Sequence, residues 1–253
     1  MDERFTRIYM LLGDKAMEAL QNATVTVVGM GAVGGQATEA LARSGIGHIR
    51  VIDCDVIHKT NINRQILAVE STLGRPKVEV AAERIKDINP NCRVETFQEF
   101  AAEETFNKLL ISENNYVIDA IDSLNPKSKL IATLLERGIP FISSMGAARL
   151  LDPTQIKLGN FSLATKCPLA HMVRRRLKSL GHTEDFKCVF STEGPCKTES
   201  SILPPEHDFY KRGRDRRPLG SSPVITSMFG LYIAHGIIYL ILSDNTHLSQ
   251  RDC

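Results

Sequence analysis

The sequence predicts an α/β fold in which a mostly parallel sheet is covered by helices on both faces. Three observations predict it. Through the first 150 residues, short β-branched runs alternate with stretches of helical period, the rhythm of repeated strand–helix–strand units. The first run, Val25-Thr26-Val27-Val28, enters Gly29-Met30-Gly31-Ala32-Val33-Gly34-Gly35, and a helix-compatible segment follows at once. The next run, Val51-Ile52, ends on Asp53, 24 positions beyond Gly29. Strand, glycine turn, helix, strand and carboxylate in this order make a Rossmann-like nucleotide fingerprint. Glycines in the turn leave backbone N–H groups open to a phosphate, and the helix behind them offers the positive end of its dipole.

The elements follow in order. Residues 4 to 21 read as an amphipathic arm with apolar positions Phe5, Ile8, Leu11 and Leu12. Strands are predicted at Thr24–Val28, His48–Asp53, Arg93–Phe97, Tyr116–Asp119 and Pro140–Ser144, with helices at Val33–Arg43, Lys77–Ile88, Glu103–Leu110 and Pro126–Arg137 between them. Past residue 150 the rhythm changes. Gln155–Asn160 and Lys187–Ser191 read as strands, antiparallel to one another, around a helix from Pro168 to Leu180. A long mobile loop is expected at about 192–222, holding prolines, serines and the run Lys211-Arg212-Gly213-Arg214-Asp215-Arg216-Arg217. We therefore expect one unit over 1–253, a nucleotide-binding core at 4–150 and a substrate-side extension at 151–253.

Residues 223 to 242 are apolar for the length of a bilayer span. The segment also holds Thr226, Ser227, His235 and two glycines and lacks flanking basic clusters. We read it as a buried core helix, with membrane association as the lesser alternative.

Composition narrows the setting. With 43% hydrophobic and 24% charged residues the chain has the make-up of an ordinary globular protein. The six cysteines include no C-x-x-C pair, which argues against a structural zinc site. Met1-Asp2-Glu3-Arg4 is unlike a secretory signal, so reduced thiols and a cytoplasmic location are expected. Net charge is only +2, yet residues 166–217 hold 12 basic and 7 acidic groups. With Arg174, Arg175, Arg176 and Lys178 on the predicted helix, and Arg174 and Lys178 at helical spacing on one face, that is either a footprint for nucleic-acid phosphates or a solvated surface.

Directly after the second strand stands Asp53-Cys54-Asp55-Val56-Ile57-His58-Lys59-Thr60-Asn61-Ile62-Asn63-Arg64-Gln65. Gly74-Arg75-Pro76-Lys77 follows, and Asp119-Ala120-Ile121-Asp122-Ser123 closes the fourth strand. These polar groups cluster at the carboxyl ends of neighbouring strands, the ligand crevice of an open parallel sheet. A nicotinamide dehydrogenase would leave Asn61 to Lys77 without a role. A triphosphate, with more charge than a dinucleotide's pyrophosphate, suits Arg64, Lys77 and an acid able to hold Mg²⁺.

Gly-x-Gly-x-x-Gly-Gly, Asp-x-Asp, Thr-Asn-x-x-Arg-Gln and Gly-x-Pro-Lys in this order resemble the adenylating superfamily of MoeB, ThiF and the ubiquitin-activating enzymes, over about residues 4 to 150. Glu39–Gly47, Asn61–Gln65, Ser143–Ala148 and Asp152–Ile156 are most similar to its tRNA threonylcarbamoyladenosine dehydratase branch. The resemblance implies roles by position. Gly29, Gly31 and Gly34 would line the nucleotide phosphates, Asp53 would hold the ribose hydroxyls, and Asp55 would lie beside it. Asn61, Arg64, Gln65 and Lys77 would contact ATP, Asp122 would bind Mg²⁺, and Arg7 on the arm would reach across a homodimer to the partner's phosphates. A monovalent cation near the turn at Ser143–Ala148 is a further possibility on this reading. The implied reaction is attack of the threonylcarbamoyl carboxylate on the α-phosphate of ATP, then ring closure with net loss of water.

The same site would serve for adenylating the C-terminal carboxylate of a small sulfur-carrier protein, and a nucleotide-sensing scaffold could keep the fold without the chemistry. Asp119 competes with Asp122 but reads as a strand-end residue. Cys188 or Cys196 lies where ubiquitin-type activators carry their cysteine, but neither has a partner base nearby in sequence, and we read no catalytic thiol. Cys167 departs from the branch, which leads us to expect an aspartate there. His48, His58 and His235 read as structural or surface residues.

Overall fold

The computed structural model describes residues 2–110, 115–196 and 219–246. The basic run 211–217 and most of the expected loop at 192–222 lie outside the described residues.

A short 3₁₀ turn leads into helices α1 (Thr6–Leu12) and α2 (Asp14–Asn22). Then come β1 (Thr24–Val28), α3 (Ala32–Arg43), β2 (His48–Ile52), α4 (Lys77–Ile88), β3 (Arg93–Phe97), α5 (Phe106–Leu109), β4 (Asn115–Asp119), α6 (Leu124–Glu136) and β5 (Phe141–Ser144). Beyond them lie β6 (Ile156–Asn160), α7 (Pro168–Ser179), β7 (Lys187–Ser191) and α8 (Pro223–Thr246). Strand limits fall within a residue of those expected. The helix expected at 103–110 contracts to one turn, and the one expected from 126 starts two residues earlier.

All seven strands form one sheet in the order β3-β2-β1-β4-β5-β7-β6. β1 pairs with β2 and β4, β4 with β5 and β5 with β7, all parallel, while β6 closes the edge antiparallel to β7. Chain order reverses between β1 and β4, so the ligand crevice lies at their carboxyl ends. β1 and β4 are buried throughout, as strands covered on both faces must be.

Each face has its own apolar core. On one, Val25 and Val27 of β1 meet Leu20 of α2, Leu41 of α3 and Phe229 of α8. On the other, Val28 and Val117 meet Phe106 of α5, Leu130 of α6 and Val173 of α7.

The apolar segment 223–242 is a helix of the first core. Ile225, Phe229, Ile233, Ile237 and Ile241 are buried along it. A Cβ on Gly230 would sit 2.7 Å from Gln36 Cβ of α3, and one on Gly236 2.4 Å from Ile142 Cδ1 of β5. Two glycines thus let α8 lie directly on its neighbours, which is why a stretch of spanning length carries small residues where it does.

The arm divides differently from expectation. Phe5 is buried and Ile8 and Leu12 pack on the core, but Leu11 is 79% exposed beside Met10 at 73%.

Candidate functional site

The glycine turn is shaped by two close approaches. Gly29 has φ +96°, and a Cβ there would meet the Ala120 carbonyl oxygen at 2.9 Å. A Cβ on Gly34 would stand 1.7 Å from the Gly29 carbonyl oxygen. Gly34 therefore lets α3 pack directly onto the turn. Gly31 differs: it caps α3, and a Cβ there would meet nothing within 4 Å. Of the three, Gly31 is the one that faces open space at the N-terminus of a helix of 12 residues.

Asp53 leaves the end of β2 and is fixed on both oxygens. Oδ2 accepts the Met30 N–H at 2.5 Å, and Oδ1 accepts the Asp55 N–H at 2.8 Å. Lys77, the first residue of α4, reaches the same place. Its Nζ donates to Asp55 Oδ2 at 2.8 Å and lies 4.0 Å from Asp53 Oδ1. The backbone clamps this arrangement: the Lys77 N–H donates to the Asp55 carbonyl, and Val56 bridges Pro76. The Asp-x-Asp and Gly-x-Pro-Lys motifs are therefore one cluster in space.

Its electrostatics follow from burial and that one ammonium. Burial pushes the Asp53 carboxyl above its ordinary value, against the pull of Lys77. Burial would also raise Asp55, but the Lys77 charge and hydrogen bond hold it below. Burial would depress Lys77, yet the two carboxylates together keep its ammonium above the usual lysine value. Asp53, Cys54 and Asp55 offer ligand atoms within 4.8 Å of one another, as a metal site would. The Lys77 ammonium already supplies the positive charge that these carboxylates need.

The loop between β2 and α4 carries the other expected residues. Asn61 is buried, and its Oδ1 accepts the His58 N–H at 3.1 Å, closing a 3₁₀ turn. Gln65 is buried with Oε1 lacking a hydrogen-bond partner among the described residues, an orphan acceptor of the kind a ligand donor would satisfy. Arg64 is half-buried and donates to the Thr60 carbonyl at 2.8 Å and to Asn63 Oδ1 at 3.1 Å. It is not joined to the Asp53–Lys77 cluster; its bonds are to its own loop.

Asp122 is exposed on the loop after β4, whose Ala120 carbonyl touches the glycine turn. Ser123 Oγ lies 3.5 Å from its Oδ1. One exposed carboxylate is a donor of the kind Mg²⁺ takes, since that ion uses one or two carboxylates and completes its shell with other oxygens. Arg7 is exposed on α1, two residues after Phe5, which is seated against Gly45 in the turn before β2. That turn lies at the end of the sheet opposite the crevice, so the chain does not bring Arg7 to its own site.

Sequence reasoning missed the most buried charges next to the crevice. Asp119, read as a strand-end residue, is fully buried at the carboxyl end of β4, and so is Lys127 of α6. Lys127 Nζ donates to Asp119 Oδ2 at 2.5 Å and to Ser143 Oγ at 3.1 Å, while Ser143 Oγ donates to Asp119 Oδ2 at 2.6 Å. Asp119 Oδ1 also accepts the Ile121 N–H at 3.1 Å, one residue before Asp122. The signal was present: Lys127 stands at helical spacing on the same stripe as Leu130, Ile131 and Leu134.

Of the cysteines, Cys188 is buried in β7 and burial pushes its thiol up to about 12, which leaves little thiolate for catalysis. Cys196 is half-buried, with Sγ 3.9 Å from Glu193 Oε1. Cys167 caps α7, accepting the Ala170 N–H at 3.5 Å and the Gly146 N–H at 3.3 Å. On α7 the pairing of Arg174 with Lys178 fails. Arg174 turns inward, donates to the Phe161 carbonyl at 2.8 Å and stacks over the Phe161 ring.

Residues 5–251 match the model of the ThiF family. The chain is 38% identical over 245 residues to the tRNA threonylcarbamoyladenosine dehydratase of Bacillus subtilis, covering 96% of both chains. It superposes on the Escherichia coli tRNA N6-threonylcarbamoyladenosine dehydratase in complex with AMP with a TM-score of 0.86, at 36% identity, over 97% of this chain and 96% of that one. The ATP complex of the same protein gives 0.84 at 35% identity, over 98% and 97%. Similarity to the molybdopterin-synthase adenylyltransferase of Salmonella typhimurium, 33% identical, is confined to 57% of this chain and 58% of that one.

Proposed function

Because the chain belongs to the ThiF family, we propose that it is an ATP-dependent tRNA-modifying enzyme that activates the carboxylate of threonylcarbamoyladenosine and closes it to a cyclic, dehydrated nucleoside. The observation that carries this reading is the full-length match to dehydratases whose structures hold ATP and AMP, on a chain with the Asp53–Lys77 cluster at the topological switch point.

The chemistry is suited to such a crevice. A carboxylate is a poor electrophile because its leaving group would be oxide. Its oxygen attacks the α-phosphorus of ATP, the bond to the β-phosphate oxygen breaks, and pyrophosphate leaves. The carbamoyl group of the same substrate then attacks the acyl carbon and AMP leaves, so the nucleoside loses one water overall. Intramolecular attack has a high effective concentration, so no enzyme nucleophile is required. The burial of Cys188 accords with that. The protein supplies position and charge.

The placement of these residues supports the following roles. Asp53, held rigid by Met30 and Asp55, receives the ribose hydroxyls, and the N–H groups at Gly31 face the phosphates. Asp55 keeps Lys77 charged and in place beside them. Arg64 leaves its loop carbonyl for the triphosphate, and Gln65 Oε1 gains a donor. Asn61 holds the loop in shape through His58. Asp122 would hold Mg²⁺, which neutralises charge on the phosphates when bound. Arg7 acts in trans: we assign it to the crevice of a partner subunit in a homodimer, supported by the seating of nearby Phe5 on the turn before β2 and by the exposed Met10 and Leu11 beside it. A cytoplasmic location fits a tRNA substrate.

Adenylation of a sulfur-carrier protein is the second reading. It is favoured only by the half-length match to the molybdopterin-synthase enzyme. Pyrophosphate exchange into ATP separates the two. Exchange that depends on threonylcarbamoylated tRNA is expected; exchange that depends on a carrier protein and ignores tRNA would overturn the proposal.

A further inference from the structure

The C-terminal half holds a charged face that the adenylation site does not use. Helix α7 contains three arginines, a lysine and a histidine and no acidic residue. Ala170, Val173 and Leu177 bury one side of it, and Arg174 is consumed by the Phe161 ring and carbonyl. The remaining side is exposed. His171, Arg175 and Lys178 form one stripe at i, i+4 and i+7, with Arg176 alongside and Lys166 exposed just before the helix.

Arg4, Arg43, Arg75, Arg84, Arg93, Lys108 and Lys129 each sit within ion-pair distance of a carboxylate. Arg175, Arg176, Lys178 and Lys166 have no such partner among the described residues. The acids that follow the helix are engaged elsewhere, Glu184 with His182 and Asp185 with Ser162. Among the described helices no other presents three unpaired cations.

The face starts at the crevice. Cys167 at the head of α7 accepts the N–H of Gly146, which follows β5 at the carboxyl end of the sheet. At about 1.5 Å per residue, Arg175 and Lys178 stand roughly 12 and 16 Å along the axis from that contact. A strand leaving the crevice past Gly146 meets this helix at its N-terminal end.

Resting on the tRNA reading above, we propose that the outward face of α7, with Arg175, Arg176 and Lys178 and with Lys166 at its crevice end, holds the sugar-phosphate backbone of the substrate RNA. Guanidinium groups match phosphate oxygens bidentately, and such contacts position the strand without reading sequence. A protein partner fits less well: interface cores are depleted in charge and anchored by large apolar side chains, and this helix exposes no Phe, Tyr or Trp, with Met172 its one large apolar side chain outside.

The test uses the triple variant R175Q/R176Q/K178Q in the full-length protein. Three lost phosphate contacts reduce the slope of log binding constant against log salt by about 2, and weaken tRNA binding about 10- to 100-fold near 0.1 M salt. ATP affinity and melting temperature should be those of the wild type, which separates a lost RNA contact from a damaged fold. Wild-type tRNA affinity and salt slope in the variant would overturn the inference while leaving the adenylation reading intact. Binding of an acidic carrier protein, but not of tRNA, through this face would overturn it too. Failure of the wild type to convert threonylcarbamoylated tRNA would remove the reading on which it rests.

Discussion

The ammonium of Lys127 lies 2.5 Å from Asp119 Oδ2, and both side chains are fully buried. Ser143 completes the arrangement, so that the carboxyl ends of β4 and β5 and the start of α6 are tied by three hydrogen bonds. Because Asp119 also holds the Ile121 N–H, the pair positions the loop that carries Asp122.

Breaking this pair strands a charge in the core. Lys127→Met should cost about 3–5 kcal/mol of unfolding free energy, and Lys127→Met with Asp119→Leu should recover part of that loss. Urea titration of both variants checks this. Equal stability of the single variant and the wild type would contradict it.

Arg64 presents the opposite case. Its bonds to Thr60 and Asn63 are half-exposed and local. Arg64→Ala should therefore change stability by less than about 0.5 kcal/mol, while lowering kcat/KM for adenylation by about 10²–10³. Melting temperature and tRNA-dependent pyrophosphate exchange, measured together, distinguish loss of a catalytic contact from loss of the fold.

The glycine turn separates packing from binding. Gly34→Ala drives a methyl onto the Gly29 carbonyl and should destabilise by about 3 kcal/mol or more. Gly31→Ala enters open space and should fold normally, but should weaken ATP binding by about tenfold through crowding of the phosphate-facing backbone. Calorimetric titration with ATP on the folded variant checks the second half.

Lys77 sets a pH signature. In the wild type, the depressed Asp55 contributes stability above its ordinary value of 3.8 and loses it as pH falls through the lower folded value. The raised Lys77 contributes below its ordinary 10.5 and loses its share as pH rises through the folded value. Asp53, pushed up by burial, has the reverse sign and costs stability once ionised. Lys77→Met leaves burial as the main influence on both carboxylates and moves both upward. The variant should lie about 1–3 kcal/mol below wild type at pH 7, discounted for the partial exposure of Asp55. At pH 4 the deficit should be clearly smaller. A deficit independent of pH would contradict the cluster's charge assignment.

The Cys167 cap is a weak one. A thiol accepts the Gly146 and Ala170 N–H groups poorly at 3.3 and 3.5 Å. Cys167→Asp places a carboxylate at a helix N-terminus and should add about 0.5–1 kcal/mol. Thermal unfolding at neutral pH measures it.

The order of elements was legible because strands β1 and β4 are covered on both faces and read as apolar β-branched runs, while α4 begins at a Pro-Lys pair. Asp53 and Lys77 were legible because their motifs have fixed spacing around the turn. What was not legible is pairing across elements. Asp119 and Asp122 differ by three positions, and only the fold reveals that one faces Lys127 in the core and the other faces solvent. Likewise Arg174 and Lys178 share a helical face on a wheel, yet the Phe161 ring beneath the helix draws Arg174 inward. Leu11 belongs to the arm's apolar stripe by period, but the arm packs through Phe5, Ile8 and Leu12 and leaves it outside.

Mass spectrometry of nucleosides, after incubation of the protein with ATP, Mg²⁺ and tRNA carrying threonylcarbamoyladenosine, decides whether the crevice activates that carboxylate. The modified nucleoside should lose one water, with AMP and pyrophosphate appearing in equal amounts. Recovery of the open-chain nucleoside unchanged, from protein that binds ATP, would contradict it.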